Sequence, residues 1–94
     1  MTLPVKTAAA AALLKAMGNE RRLSILLHLS QGEKSVGELE NLVGLSQSAL
    51  SQHLAVLRQE GLVRTRRQAQ TIFYRLEGDT VSAALVLLRR LFPA

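Results

Sequence analysis

The sequence predicts a mainly α-helical fold with one β-hairpin, an α+β arrangement in a single domain spanning residues 1–94. Three observations carry this. Apolar residues recur three and four apart in separate segments before Gly61, the pattern turns to β-branched and aromatic residues between Val63 and Leu76, and helical spacing returns from Val81. A chain of 94 residues has room for one compact domain. Its 48% apolar and 20% charged residues suit a folded chain rather than a disordered one.

Helix formers dominate from about Thr7 to Met17, giving an Ala-rich and weakly amphipathic first helix. Gly18-Asn19 breaks the run, and Asn19 suits the cap of the next helix. From Glu20 to about Ser30, Leu23, Leu26 and Leu27 recur at helical spacing while Arg21, Ser24 and His28 gather on the opposite edge; Gln31-Gly32 ends this helix. Ser35-Val36-Gly37-Glu38 has the S-x-x-E spacing of a capping box and opens a short third helix with Leu39, Leu42 and Val43 on its apolar side. Gly44 stops it in the left-handed conformation, and Ser46 caps a fourth helix over about 46–60, closed by Gly61. Two helices joined by so short a glycine turn form a helix-turn-helix.

Val63 to Arg67 and Thr71 to Leu76 then read as two strands around Gln68-Ala69-Gln70, a wing over about 63–76. Its turn lacks the Asn-Gly or Asp-Gly pair typical of tight hairpins. Gly78-Asp79-Thr80 punctuates the chain, with Asp79 suited to a helix cap, and a fifth helix runs from about Val81 to Phe92 before Pro93. The whole is a winged helix-turn-helix with five helices.

Twelve Lys and Arg against seven Asp and Glu give a net charge of +5, which implies attraction to a polyanion, nucleic acid first. The longest apolar stretches, such as Val81 to Leu88, fall far short of the roughly 20 residues a membrane span needs. The apolar run Ala8 to Leu14 reads as a helix rather than a secretory leader, so the expected location is the cytoplasm. There are no cysteines, which removes disulfides and thiolate metal sites. A core this small leaves little surplus stability, and oligomerisation is the remaining supplement.

On the fourth helix Leu50, Leu54 and Leu57 share one side, and Ser48, Ser51, Gln52, Ala55 and Gln59 the other. That outward stripe is short, polar and uncharged. It suits either solvent or a major groove about 12 Å wide, where Gln pairs with adenine and Ser serves several bases or a phosphate. Arg58, Arg64, Arg66, Arg67 and Arg75 lie in a segment whose sole acid is Glu60, and arginine's planar fork fits phosphates and narrow minor grooves. Polar helix and basic wing together favour duplex DNA.

The last helix is apolar over a wider arc than one buried side needs, about 100°. It either packs wholly inside its own domain or joins the first helix in a two-fold dimer, with Leu13, Leu14, Met17, Leu85, Leu88, Leu91 and Phe92 as candidate contacts. The only histidines, His28 and His53, lie on different helices without acidic partners at ligand spacing, so no metal site is expected. His28 reads as a solvated edge residue, and His53, near the Leu50/Leu54 side, as a hydrogen-bonded structural one. No catalytic triad or phosphate loop is present, and neither an enzyme nor a cofactor is expected.

The runs Ala16-Met17-Gly18-Asn19-Glu20-Arg21-Arg22-Leu23, Ser35-Val36-Gly37-Glu38-Leu39, Leu45 to Leu54 and Leu57-Arg58-Gln59-Glu60-Gly61-Leu62-Val63 resemble the ArsR/SmtB family of bacterial transcriptional repressors. Gln70-Thr71-Ile72-Phe73-Tyr74 and Leu87-Leu88-Arg89-Arg90-Leu91 are most similar to its HlyU/BigR-like branch. The resemblance implies a winged-helix homodimer joined through its first and last helices on an imperfect palindrome, with the fourth helix in the major groove. Gln47, Ser48, Ser51 and Gln52 match the family's DNA-reading positions, and Arg66, Arg67, Gln68 and Gln70 its wing. The family's metal sensors carry thiolates where this chain has Val36-Gly37-Glu38, or His and carboxylates on the last helix, which here lacks His; thiol-switching members of the branch use cysteines where this chain has Leu27 and Pro93.

The expected function is therefore double-stranded operator binding by a homodimeric regulator of repressor or anti-silencing type, through Gln47, Ser48, Ser51, Gln52, Arg58, Arg66, Arg67, Gln68 and Gln70. Any signal would come from a small-molecule or protein effector outside the family's known sensing chemistries. The alternative is a winged-helix module that binds protein or RNA.

Overall fold

Asn19, Ser35 and Ser46 each start a helix by supplying an acceptor to amides that have no partner in the first turn. The Asn19 side chain accepts from the amides of Arg21 at 2.9 Å and Arg22 at 3.1 Å, and Ser46 Oγ from that of Ala49 at 3.2 Å. Ser35 and Glu38 form the reciprocal capping box, at 3.1 and 2.9 Å. A computed structural model describes residues 2–94. It contains α1 (Thr7–Met17), α2 (Glu20–Leu29), β1 (Lys34–Ser35), α3 (Val36–Val43), α4 (Gln47–Gln59), β2 (Val63–Gln68), β3 (Thr71–Leu76) and α5 (Gly78–Leu91). The five helices and the wing stand as the sequence predicts them.

Gly44 turns the chain between α3 and α4 with φ 66°, a left-handed conformation that costs a side-chain-bearing residue. Leu50, Leu54 and Leu57 of α4 then face Ile25, Leu26 and Leu29 of α2, Leu39 and Val43 of α3, Val63 and Tyr74 of the wing root, and Val81 and Leu85 of α5 in one buried cluster. No buried side-chain nitrogen or oxygen among the described residues lacks a partner, so the core is closed without polar cost.

The sheet is antiparallel with order β1-β3-β2. Its third strand, β1, is not legible in the sequence, because two residues show no alternation. Lys34 and Ser35 pair with Tyr74 and Phe73, and the extended backbone of Ser35 that begins α3 also makes it a strand residue.

Two local expectations need correction. The fifth helix starts at Gly78 rather than near Val81, and Asp79 is not its cap. Gly78, at φ 73°, swings the chain out of β3 directly into the helix, Glu77 occupies the cap position without a side-chain bond, and Asp79 sits in the first turn. There its charge still favours the positive end of the helix dipole. The hairpin, for its part, closes through the two residues Ala69 and Gln70 between the paired Gln68 and Thr71. Ala69 alone adopts a positive φ, 55°, at the position where a II′ turn prefers glycine.

That turn generates a prediction. Ala69→Gly removes the Cβ from a left-handed position at the wing tip and should raise stability by about 0.5 kcal/mol, the strain relieved exceeding the entropy added to the unfolded chain. Ala69→Val should lower it. Denaturant midpoints of the two variants, moving in opposite directions from wild type, check this; a shift in the same direction would show that the tip carries no strain.

Candidate nucleic-acid interface

With three leucines held inward, the rotation of α4 about its axis is set, and at about 100° per residue its opposite side presents Ser48, Ser51, Gln52, Ala55 and Gln59. All five are exposed, as are Gln47 and Arg58, which flank the stripe on one edge. The first turn carries no acid, so nothing offsets the partial positive charge of the helix start. A helix of 13 residues, about 20 Å long, presenting small polar side chains without charge repulsion, is shaped for a major groove.

The wing behaves differently from the sequence reading of a uniform basic arm. Cross-strand pairs Arg64/Arg75, Arg66/Phe73 and Gln68/Thr71 share one face of the hairpin, while Val63/Leu76, Thr65/Tyr74 and Arg67/Ile72 share the other. Val63 and Tyr74 are buried, so Arg67 points toward the helix side and Arg66 away from it. Arg66 is also occupied. Its Nε donates to both carboxylate oxygens of Glu33, at 2.9 and 3.0 Å, its Nη2 to Oε1 at 2.7 Å, and its Nη1 to Gln68 Oε1 at 2.9 Å. Its guanidinium lies 4.4 Å from the centre of the Phe73 ring. The Arg66 hydrogen bonds hold the Glu33 carboxyl below the usual carboxylate range. Arg66, expected at the DNA, thus has its fork filled in the free protein by an acid 33 residues away in the chain, which local sequence cannot show.

Arg64 pairs with Glu77 at 3.1 Å. These two ion pairs account for Arg64 and Arg66 among the described residues, leaving outside them Arg58 at the edge of the polar stripe, Arg67 on the helix side of the wing, and Arg75 on the outer face that Arg64 and Arg66 share. Gln70, at the exposed wing tip, remains available, and Gln68 keeps its amide donors although its oxygen serves Arg66.

Between them α1, α2 and α5 line an apolar groove of about 270 Å³ formed by Leu14, Met17, Gly18, Leu23, Ala84, Leu87 and Leu88. Leu14, Leu87, Leu91 and Phe92 are 68, 53, 59 and 75% exposed, so apolar side chains open to solvent stand on α1 and on α5 with its C-cap, two of the helices that line the groove. Two candidate contact residues are buried in the protomer, Met17 at the floor of the groove and Leu85 away from it. Met17 and Leu85 are 5 and 1% exposed, because Leu85 follows Val81 by one helical turn into the protomer's own core. Leu13 and Leu88 are half-buried against that core, and Val86 and Leu87, outside the sequence-derived set, are exposed. The wide apolar arc of α5 did not show which of its residues the protomer's own core takes, Val81 and Leu85.

His53 is half-buried on α4, where burial, then Arg22, then Arg21, push its pKa below the usual imidazole value. Its neighbours are cations rather than the hydrogen-bond partner expected of it. No group of three or more His, Cys, Asp or Glu among the described residues is placed to hold a metal, and no helix among them is long and apolar enough to cross a membrane.

Known proteins share this arrangement. The model of a family described as bacterial regulatory protein, arsR family, matches residues 19–65, from α2 to the start of β2. The transcriptional activator HlyU of Vibrio cholerae is 59% identical over 86 residues, covering 92% of this chain and 80% of that protein. A solved structure of HlyU from Vibrio cholerae superposes with a TM-score of 0.92 at 55% identity, over 98% of this chain and 100% of that one. The transcriptional repressor BigR from Xylella fastidiosa gives a TM-score of 0.90 at 42% identity, over 95 and 91%. The homodimeric winged helix-turn-helix DNA-binding domain of Mb0332 from Mycobacterium bovis gives 0.83 at 32%, over 96 and 86%.

The setting of His53 makes stability depend on pH. The folded ring resists protonation while an unfolded histidine titrates near 6.5, so below that value the unfolded chain binds more protons and stability falls as pH drops toward the depressed pKa. His53→Gln should flatten this stretch of the curve of denaturation midpoint against pH, in a window above the carboxylate titrations. A wild-type slope retained in the variant would mean that the ring titrates as if exposed.

Proposed function

The chain belongs to the ArsR family of bacterial regulatory proteins, and from that membership we propose that it binds a double-stranded operator as a homodimer, one α4 in each of two successive major grooves. The observation that carries the proposal is the acid-free polar stripe of α4 edged by Arg58, with Arg67 on the helix side of the wing. Gln52 and Ser48 sit at its centre as base readers, Gln47 and Ser51 beside them serve bases or the adjoining backbone, and Arg58, Arg67, Gln68 and Gln70 hold phosphates or the minor groove. Duplex RNA fits less well, since its A-form major groove is too narrow for a helix.

The homodimer rests on the exposed face of Leu14, Leu87, Leu91 and Phe92, and the related Mb0332 domain is described as homodimeric. A two-fold pair of reading helices calls for an imperfect palindrome with half-sites about 34 Å apart, one turn of B-DNA. Each protomer then offers one face to DNA and one to its copy, and such a protein acts by occupying its site, which represses a promoter that the site overlaps. HlyU is named an activator and BigR a repressor, consistent with the sign being set by operator position. The chain has no cysteine, so a signal would enter as a small organic molecule or a partner protein rather than through a thiol.

Two measurements test this reading. Gln52→Ala should weaken binding to a duplex selected by the wild-type protein from a randomised pool by about 1–3 kcal/mol, with little effect on random DNA. Arg67→Ala should weaken both alike and lower the slope of log affinity against log salt by about 0.9. Equal losses on both duplexes for Gln52→Ala would remove it as a base reader. For assembly, Leu87→Glu places a charge on a residue that is exposed in the protomer, so the fold is spared while the subunit contact is not. Sedimentation should show a folded monomer with much weaker operator binding; a dimer of wild-type affinity would put the interface elsewhere.

A further inference from the structure

We propose that Arg66 is a positioning residue which, with Glu33, clamps the wing to the start of the helix-turn-helix, and is not itself a ligand of DNA. This rests on the DNA-binding reading above and assigns a separate task to one of its wing residues. The register aligns Ser35 of β1, Phe73 of β3 and Arg66 of β2 in one row across the sheet. Arg66 extends over the Phe73 ring and meets Glu33, the residue just before β1, through both edges of a side-on fork. One side chain thus spans all three strands. The span matters because β1 holds the sheet through only two residue pairs, and Ser35 in β1 is also the cap of α3. Whatever fixes Glu33 to the wing therefore fixes the wing's angle to the first helix of the helix-turn-helix.

The chemistry of the contact favours a strut over a phosphate ligand. An arginine that must grip a phosphate gains from losing a neighbouring acid, because the acid competes for its fork and repels the backbone. An arginine that acts as a strut loses its function with that acid. Ion pairs this exposed are weak singly, but a two-bonded fork stacked on an aromatic ring and braced by Gln68 belongs to the networked kind that does order its surroundings. The two roles thus predict opposite signs for the same substitution.

The test uses the full chain as wild type, Glu33→Gln, Arg66→Gln, Arg66→Lys and the Glu33→Gln/Arg66→Gln double variant, titrated by anisotropy over a salt series against the duplex recovered from the randomised pool. A clamp requires Glu33→Gln to weaken binding about threefold to tenfold even though it removes a negative charge, and Arg66→Gln to weaken it by a similar factor. The double variant should be no worse than either single one. Arg66→Lys should fail to rescue, since an ammonium keeps the charge but neither the planar fork nor the stacking. Unchanged or tighter binding by Glu33→Gln, with Arg66→Lys near wild type and only Arg66→Gln lowering the salt slope by about 0.9, overturns the proposal. Hydrogen exchange of the DNA-free protein reads the clamp independently. Amides of β2 and β3 should exchange faster in Glu33→Gln and Arg66→Gln while α4 keeps its protection. Unchanged wing exchange overturns the clamp; faster wing exchange with no duplex recovered supports it and refutes the DNA-binding reading instead.

Discussion

The structure depends on one row of side chains, Leu50, Leu54 and Leu57 of α4, which are 0, 2 and 0% exposed. Each contributes about 1.5–3 kcal/mol by leaving water, and together they fix how α4 is turned about its axis. A slip of one residue would rotate the helix by about 100°, carry Ser51 into an apolar core and turn Leu54 outward. The polar stripe proposed to meet DNA is thus the complement of a packing decision. Because the same cluster holds α2, α3, Leu62, Val63 and Tyr74 at the wing root, and Val81 and Leu85 of α5, every other element takes its position from that row.

Charge plays two roles that the net value of +5 does not separate. Several arginines brace the fold. Arg22 donates to the carbonyls of Ala16 at 2.6 Å and Lys15 at 3.1 Å, satisfying acceptors at the end of α1, and Arg21 reaches the Val43 carbonyl at the end of α3 at 3.4 Å. Arg89 of α5 bonds the hydroxyl of Ser30 at the end of α2. Cations at helix C-termini are where both the orphan carbonyls and the helix dipole favour them. Arg64 and Arg66 brace the sheet through Glu77 and Glu33. Outside those pairs, Arg58 on α4 and Arg67 on the helix side of the wing are left toward the polar stripe, a smaller and better defined group than the basic segment as a whole.

What was legible in the sequence was whatever repeats locally. Caps at Asn19, Ser35 and Ser46, the leucines of α4 and the change of period after Gly61 are short-range signals, and they placed all five helices and the wing. The polar stripe followed from the same periodicity, and its exposure agrees. What was not legible depends on distant partners. The two residues of β1 become a strand only because β3 lies beside them, Arg66 is occupied only because Glu33 arrives from the α2–α3 loop, and Met17 and Leu85 turn inward only because the core selects one side of an apolar arc. The early start of α5 belongs to this class too, since Gly78 reads as punctuation until β3 fixes the direction from which the helix must leave.

The separation of tasks between the two faces has a consequence for regulation. The polar stripe of α4 and the apolar face of α1 and α5 are formed by different residues of a molecule extending 51 × 29 × 21 Å, and the buried cluster joins α1, α4 and α5. In the homodimer proposed above, one half-site alone binds weakly, and the second contact is gained at the high effective concentration that the subunit interface imposes. The spacing of the reading helices is then set by how α1 and α5 pack, not by any residue that touches DNA. Close packing in the cluster makes each protomer move as one body, so a change at the apolar face acts by re-spacing two intact reading helices rather than by reshaping either. Linkage makes the effect reciprocal: whatever binds the dimer face in a way that opposes the operator spacing is itself bound less tightly when the operator is occupied.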